Sequence, residues 1–130
     1  MLLMVYGTLM KEFENHYVIE KSRFIGNAFT RGVLYHLPEG YPAVIDGTGT
    51  IKGEVYDIDE EILREIDMLE DYFGEGDERN LYNREKRYAQ LESCESVMVY
   101  IYKYVKLEEV KQVGIHIPDG DWGKFIKCDL

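Results

Sequence analysis

The segment DEEILREIDMLEDYF, residues 59–73, carries the clearest helical pattern in the chain and decides its fold class. Asp59 precedes the pattern and can cap a helix, and the acidic pair that follows it complements the positive N-terminal end of the helix dipole. The apolar side chains recur at the spacing of one helix face: Ile62, Leu63, Ile66, Leu69 and Phe73. The segment therefore predicts one amphipathic helix near the middle of the chain.

Strand patterns lie on both sides of this helix. The predicted strands cover residues 2–6, 24–37 (as one strand or two), 41–45, 51–58, 84–92 and 97–105. Asp46-Gly47-Thr48-Gly49 predicts a tight turn, since Asp-Gly tolerates a positive φ, and residues 11–21 predict a short helix. Many strands with one good helix indicate an α+β fold. The pattern fits a curved mixed sheet or a small barrel and does not distinguish between them.

Chain length and net charge limit the number of domains and the classes of partner. A chain of 130 residues fits one domain, and a net charge of −10 disfavours nucleic acid and anionic membranes as partners. Cys94 and Cys128 have no metal-type spacing and are predicted to be free thiols in a reducing compartment. The apolar run at the N-terminus ends too early for a secretory signal, so we expect a cytoplasmic protein.

Glu70 stands out because it falls inside the apolar arc of the predicted helix, one turn beyond Ile66 and two beyond Leu63. A carboxylate that faces a core costs several kcal/mol unless it is paired. Glu70 could pair with a cation, be protonated, or border a wet cavity, and in the last two cases its pKa rises toward the range useful for proton transfer. The alternative is a helix-end glutamate whose side chain escapes to solvent.

A glycine turn follows the first predicted strand directly, in the sequence Tyr6-Gly7-Thr8-Leu9. Glycine lets backbone N–H groups converge and approach a ligand closely. Such a turn can hold a carboxylate or a developing oxyanion, although most strand–glycine turns are only turns.

The helix end at Glu70 and the glycine turn belong to a set of motifs that runs in order along nearly the whole chain. The sequence resembles the γ-glutamylcyclotransferase-like family, and most of all the short branch that includes γ-glutamylamine cyclotransferase. The matching segments are Val5-Tyr6-Gly7-Thr8-Leu9, Asn15-His16, Tyr41-Pro42-Ala43, Gly53-Glu54-Val55-Tyr56-Asp57-Ile58, Ile66-Asp67-Met68-Leu69-Glu70, Tyr82-Asn83-Arg84 and Val99-Tyr100. Met10-Lys11-Glu12 departs from the family pattern, and the acidic loop 71–81 is longer than in some members.

The resemblance implies a small mixed β-barrel with flanking helices, as a single domain over residues 1–130. It implies that Glu70 is the catalytic acid/base. It also implies that the first loop binds a small γ-glutamyl substrate through Tyr6, Gly7, Thr8 and Leu9. In the implied reaction the α-amine of a γ-glutamyl amine or amide attacks its own γ-carbonyl, and 5-oxoproline and the free amine are released. Because the substrate supplies its own nucleophile, no serine or cysteine is required, and no cofactor is expected. His16, His36 and His116 lie far apart in sequence and form no ligand cluster, so no metal site is expected.

A second reading is a catalytically silent relative that binds an amino-acid-like ligand or a protein partner, because a fold does not guarantee an activity. Several other residues are assigned structural roles. Asp67 is expected to pair with Arg84 or to cap a loop, and Trp122 to pack as a lid. The roles of Tyr41, Tyr82 and Arg84, the leaving amine and the oligomeric state are left open.

Overall fold

The computed structural model describes residues 1–129, which form six strands and three α-helices around one barrel. The strands are β1 (Leu2–Val5), β2 (Arg23–His36), β3 (Pro42–Asp57), β4 (Tyr82–Leu91), β5 (Ser96–Tyr104) and β6 (Ile115–His116). The helices are α1 (Glu60–Leu69), α2 (Leu107–Val113) and α3 (Trp122–Asp129). Where the sequence predicts a short helix within residues 11–21, the structure has a 3-10 turn at His16–Val18.

The barrel closes because its two long strands pair with each other as well as with their other neighbours. The strand order is β3-β1-β5-β4-β2, and β2 pairs back onto β3. β1 and β5 run parallel, whereas the other pairs are antiparallel. β6 adds two residues to the end of β2. The predicted mixed β-barrel with flanking helices is thus confirmed, and the barrel is closed.

β1 is short but central, because it lies between β3 and β5 and delivers the loop that follows it to one end of the barrel. Its residues Leu3, Met4 and Val5 are buried among the side chains that fill the barrel. Val5 pairs with Glu54 on β3, at the last register position before the loop. The closely packed interior therefore holds the start of this loop in place.

The turn predicted at residues 46–49 does not form, and the prediction is wrong. Residues 42–57 make one strand, whose register with β2 shifts between Arg31 and Val33, so that residues 46–49 lie opposite Gly32. A Cβ on Gly47 would lie 2.2 Å from Cγ2 of Val33, and one on Gly49 would lie 2.7 Å from the oxygen of Gly32. These glycines permit close packing at a strand irregularity, not a hairpin turn.

Helix α1 begins as predicted and ends earlier than predicted. Asp59 caps it, since its Oδ1 accepts a hydrogen bond from the Ile62 N–H at 2.8 Å. The helix ends at Leu69 with Glu70 as C-cap, because Asp71 adopts a left-handed backbone with φ +53°. Phe73 consequently lies outside the helix and half exposed, so its predicted place on the helix face is wrong. Within residues 1–129, no helix has the length and apolarity needed to cross a membrane.

Candidate active site

A cavity of about 250 Å³ lies at the end of the barrel where β1 finishes. Its walls come from the first loop, the C-terminal end of α1, and residues at the start of β3 and β4. All five residues that the sequence singled out line this cavity: Tyr6, Gly7, Thr8, Leu9 and Glu70. The remaining lining residues are Met4, Val5, Asn15, Tyr41, Pro42, Leu69, Asp71, Leu81, Tyr82 and Tyr102.

The first loop turns sharply at Gly7, against the first residue of β3. A Cβ on Gly7 would lie 2.5 Å from Cγ of Pro42, so only glycine allows this approach. The Met10 N–H donates to the Gly7 carbonyl at 3.0 Å and closes the turn. The first loop therefore packs against the start of β3 and forms part of the cavity wall there.

Asn15 and His16 hold the first loop in place by hydrogen bonds. The Asn15 side-chain amide donates to Thr8 Oγ1 at 2.8 Å, and its backbone N–H donates to the Thr8 carbonyl at 3.0 Å. His16 Nδ1 lies 2.8 Å from the Leu9 carbonyl oxygen, to which the Nδ1-protonated tautomer donates. The Asn-His pair was visible as a motif, but its spacing did not reveal this supporting role.

The loop leaves backbone donors available. Among the hydrogen bonds that join residues 1–129, the N–H groups of Gly7, Thr8 and Leu9 have no protein acceptor. Consecutive peptide N–H groups in a turn form a concave site for an anion. The cavity wall can therefore bind a carboxylate or an oxyanion without a cationic side chain.

Protein atoms surround most of the carboxyl group of Glu70, although the residue as a whole is half-buried, so the side chain borders the cavity and does not extend freely into solvent. In the described part of the chain it has neither a hydrogen bond nor an ion pair. Burial, and secondarily the negative charge of Asp71, raises the pKa of Glu70 from 4.5 to about 7. A carboxyl group of this kind can both accept and return a proton near neutral pH.

Tyrosines form much of the wall around Glu70. The Tyr6 hydroxyl donates to the Tyr102 carbonyl at 2.6 Å, and the Tyr82 hydroxyl donates to the Pro42 carbonyl at 2.7 Å. Burial, followed by the negative charge of Glu70, raises the pKa of Tyr6 well above 10. Both hydroxyl protons are engaged by backbone oxygens, so these tyrosines remain neutral and shield the carboxyl from water.

Asp67 pairs with Arg84, which is one of the two structural roles that the sequence left open for it. Arg84 donates from one guanidinium nitrogen to both carboxylate oxygens, and the Tyr102 hydroxyl donates to Oδ1 of the same group. The pair links α1 to β4 and β5 one turn before Glu70. It consequently fixes the end of α1 against the barrel and leaves the Arg84 charge neutralised.

Asp67→Ala is expected to lower the free energy of unfolding by roughly 2 kcal/mol, because it leaves a partly buried guanidinium and hydroxyl unpaired. Asp77→Ala is the matched control, since its partner Arg79 is 68% exposed whereas Arg84 is 20% exposed. The control should lose about 0.5 kcal/mol or less. Urea denaturation measures both changes, and equal losses would contradict a structural role for the Asp67 pair.

The other candidates lie away from the cavity. Trp122 is buried and donates from Nε1 to His36 Nδ1 at 3.1 Å, so it packs in the interior and does not act as a lid. Cys94 and Cys128 are exposed and not bonded to each other. No group of three or more potential metal ligands occurs in the part of the chain that the structure describes.

This chain is similar to known proteins in both sequence and fold. The profile of the γ-glutamyl cyclotransferase, AIG2-like family matches residues 3–124. The γ-L-glutamyl-butirosin B γ-glutamyl cyclotransferase of Niallia circulans is 42% identical over 83 residues, 63% of this chain and 53% of that protein. This chain thus aligns with about half the length of that relative. A putative γ-glutamylcyclotransferase of Vibrio cholerae is 32% identical over 123 residues, 93% of this chain and 94% of the relative.

A solved structure agrees with these matches. The crystal structure of an AIG2-like protein from Mus musculus has a TM-score of 0.68 at 27% identity, over 82% of this chain and 80% of that one. The family profile covers all the elements that build the cavity, from β1 through β5. The chain belongs to the γ-glutamyl cyclotransferase, AIG2-like family.

Proposed function

We propose that this protein is a γ-glutamyl cyclotransferase that cleaves a γ-glutamyl amine or amide and releases 5-oxoproline and the free amine. The observation that carries the proposal is the largely buried, unpaired carboxyl of Glu70, in one small cavity with the first loop. Family membership and the names of the relatives from Niallia circulans and Vibrio cholerae support the same reaction.

Glu70 would move the proton that the reaction requires. An α-ammonium group cannot attack a carbonyl, so ionised Glu70 takes one proton from it. The freed amine nitrogen attacks the γ-carbonyl carbon, and a tetrahedral oxyanion forms. The ring nitrogen then gives up its second proton, which the released amine takes up as it becomes an ammonium group. As the bond from this carbon to the leaving nitrogen breaks, Glu70 returns the proton to that nitrogen. A pKa of about 7 suits both transfers.

The first loop would bind the negative charge of the substrate or of the intermediate. The N–H groups of Gly7, Thr8 and Leu9 have no protein acceptor among the described residues, and no lysine or arginine lines the cavity. These donors therefore hold either the α-carboxylate or the tetrahedral oxyanion. Either contact fixes the glutamyl group relative to Glu70.

The size of the cavity favours a curled glutamyl group. Its volume of about 250 Å³ lies below the roughly 300–1,000 Å³ typical of sites for larger ligands. A glutamyl chain that is folded for five-membered ring closure needs little space, and holding it so supplies several kcal/mol of orientation. The leaving group would extend through the mouth of the cavity.

The proposal includes a single domain over residues 1–130, a cytoplasmic location and no cofactor. The exposed thiols of Cys94 and Cys128 fit a reducing compartment. The substrate's own amine replaces a nucleophilic serine or cysteine, so the chemistry needs no further group.

The purified protein should form 5-oxoproline and free amine in equal amounts from simple γ-glutamyl amides, as mass spectrometry can measure. The matched control is the same substrate with its α-amine acetylated, which cannot attack and should not react. Release of glutamate instead of 5-oxoproline would show hydrolysis and overturn the proposal. Tight binding of γ-glutamyl amides with no product would favour the silent relative.

A further inference from the structure

Both ends of the first loop are bound to one residue of β3. Before the loop, Val5 is the last residue of β1 and pairs with Glu54 in the register between the two strands. After the loop, the Lys11 N–H donates to Oε1 of the Glu54 side chain at 3.0 Å. Glu54 therefore contacts the chain on either side of the segment that carries the anion-binding N–H groups.

A buried tyrosine orients the Glu54 carboxylate. Tyr56 lies two residues further along β3, so the two side chains share one face of the strand, and its hydroxyl donates to the same Oε1 at 2.9 Å. The Tyr56 ring packs against His16 and Phe24, with ring centroids 5.9 and 5.3 Å away. Burial, followed by the hydrogen bond to Glu54, raises the pKa of Tyr56, so its hydroxyl stays protonated and remains a donor. The acceptor for the Lys11 N–H is consequently held in one position.

A displacement of Lys11 would reach the turn at Gly7 through a single residue. In the hydrogen bonds that the structure describes, Glu54 is the one acceptor of the Lys11 N–H. Met10 directly precedes Lys11, and its own N–H donates to the Gly7 carbonyl. Groups that bind a reacting substrate must keep their position within about 0.5 Å, and an error of about 1 Å can reduce turnover severely.

Glu54 has no contact with the reacting groups. It does not line the cavity that Glu70 and the first loop share. The pKa of Glu70 is raised by burial and by Asp71, with no contribution from Glu54. Any effect of Glu54 on the reaction must therefore pass through the position of the first loop.

We propose that Glu54 is a positioning residue, whose carboxylate fixes the exit of the first loop and thereby directs the N–H groups of residues 7–9 toward the substrate. The inference rests on the proposed function and adds a residue outside the cavity on which that function depends.

Two substitutions at Glu54 test the role of its acceptor oxygen. Glu54→Ala removes the acceptor, whereas Glu54→Gln keeps a carbonyl oxygen in the place of Oε1. Oε2 has no hydrogen bond within residues 1–129, so the glutamine NH₂ group can replace it without losing a contact. We expect kcat/KM with a γ-glutamyl amide to fall about tenfold in Glu54→Ala and to stay within about twofold of the parent in Glu54→Gln.

Tyr56→Phe is a milder variant of the same test, because it keeps the packed ring. It leaves Glu54 in place and removes the donor that orients its carboxylate. We expect kcat/KM to fall about threefold.

Asp57→Ala is the matched control. Asp57 lies on the same strand, but it pairs with Leu2 at the other end of β1 and accepts a hydrogen bond from the N-terminal ammonium group at 3.0 Å. The substitution removes a carboxylate from β3 without touching the first loop, so kcat/KM should equal that of the parent.

Two further measurements distinguish positioning from a general loss of stability. In NMR spectra recorded without substrate, the amide signals of residues 7–9 should move, and the Lys11 N–H should exchange faster, in Glu54→Ala but not in Glu54→Gln or Asp57→Ala. The acid limb of the pH profile of kcat/KM should keep its parent midpoint in every variant, because the surroundings of Glu70 are unchanged.

The outcomes separate this role from the proposed reaction. A parent-like kcat/KM in Glu54→Ala, or equal losses in Glu54→Ala and Glu54→Gln, would overturn the role of Glu54. A displaced acid limb would assign the loss to Glu70 and would also overturn it. If the parent formed no 5-oxoproline from any γ-glutamyl amide, the proposed reaction would be wrong, whereas the amide signals of residues 7–9 would still decide whether Glu54 positions the loop.

Discussion

Glu70→Gln is expected to reduce 5-oxoproline release by about 10²–10⁴-fold, because glutamine fills the same space and cannot take a proton from the substrate ammonium. Burial holds the pKa of Glu70 at about 7, so the parent protein has a substantial ionised fraction of this carboxyl at neutral pH. The variant retains the loop donors and the apolar walls. We therefore expect kcat to fall while the affinity for substrate changes little, as steady-state kinetics with a γ-glutamyl amide will show.

The same variant should be more stable than the parent at mildly alkaline pH, which serves as its folding control. The folded state holds the Glu70 proton more tightly than the unfolded chain, so the parent loses stability as pH rises from about 4.5 to about 7. The difference is on the order of 3 kcal/mol above this range and disappears below it. Undiminished turnover in a folded Glu70→Gln protein would remove Glu70 from the mechanism.

Gly53→Ala is expected to lower the free energy of unfolding by roughly 3 kcal/mol and the Tm by about 10 °C. A Cβ on Gly53 would lie 2.4 Å from the carbonyl oxygen of Val5 and 3.2 Å from its carbonyl carbon. Because both atoms belong to the backbone, only separation of β1 from β3 relieves the clash. That separation would also displace the first loop, so turnover should fall in whatever protein remains folded.

Gly26→Ala provides the matched control for this substitution. Gly26 also lies in the barrel, on β2, but an added Cβ would meet only Cδ2 of Leu91, at an ordinary 3.7 Å. Its Tm should stay near that of the parent, as calorimetry can measure. If the two variants lost a similar amount of Tm, the close contact between β1 and β3 would not be the cause of the loss in Gly53→Ala.

The features that could be predicted from sequence are those encoded locally. The cap at Asp59 and the apolar face through Leu63 and Ile66 depend on neighbours within a few residues, and both appear in the structure. The inward position of Glu70 followed from the same spacing. The proximity of Glu70 to the first loop came from the ordered motifs of a family, since local spacing carries no such information.

The features that could not be predicted depend on distant parts of the chain. Gly47 and Gly49 resemble turn glycines until Gly32 and Val33 of β2 are placed against them. The left-handed backbone of Asp71, which ends α1 before Phe73, has no signal in a sequence that lacks glycine there. The partner of the Tyr6 hydroxyl is a carbonyl 96 residues away, which only the closed barrel brings near.

The most direct measurement of the central claim is the titration of the Glu70 side-chain carboxyl carbon by ¹³C NMR, with its resonance identified by its loss in Glu70→Gln. A largely buried carboxyl that lines the same cavity as the first loop should titrate with a midpoint at about 7. A midpoint near the ordinary value of 4.5 would place the group in bulk water and contradict its proposed role as the acid/base of ring closure.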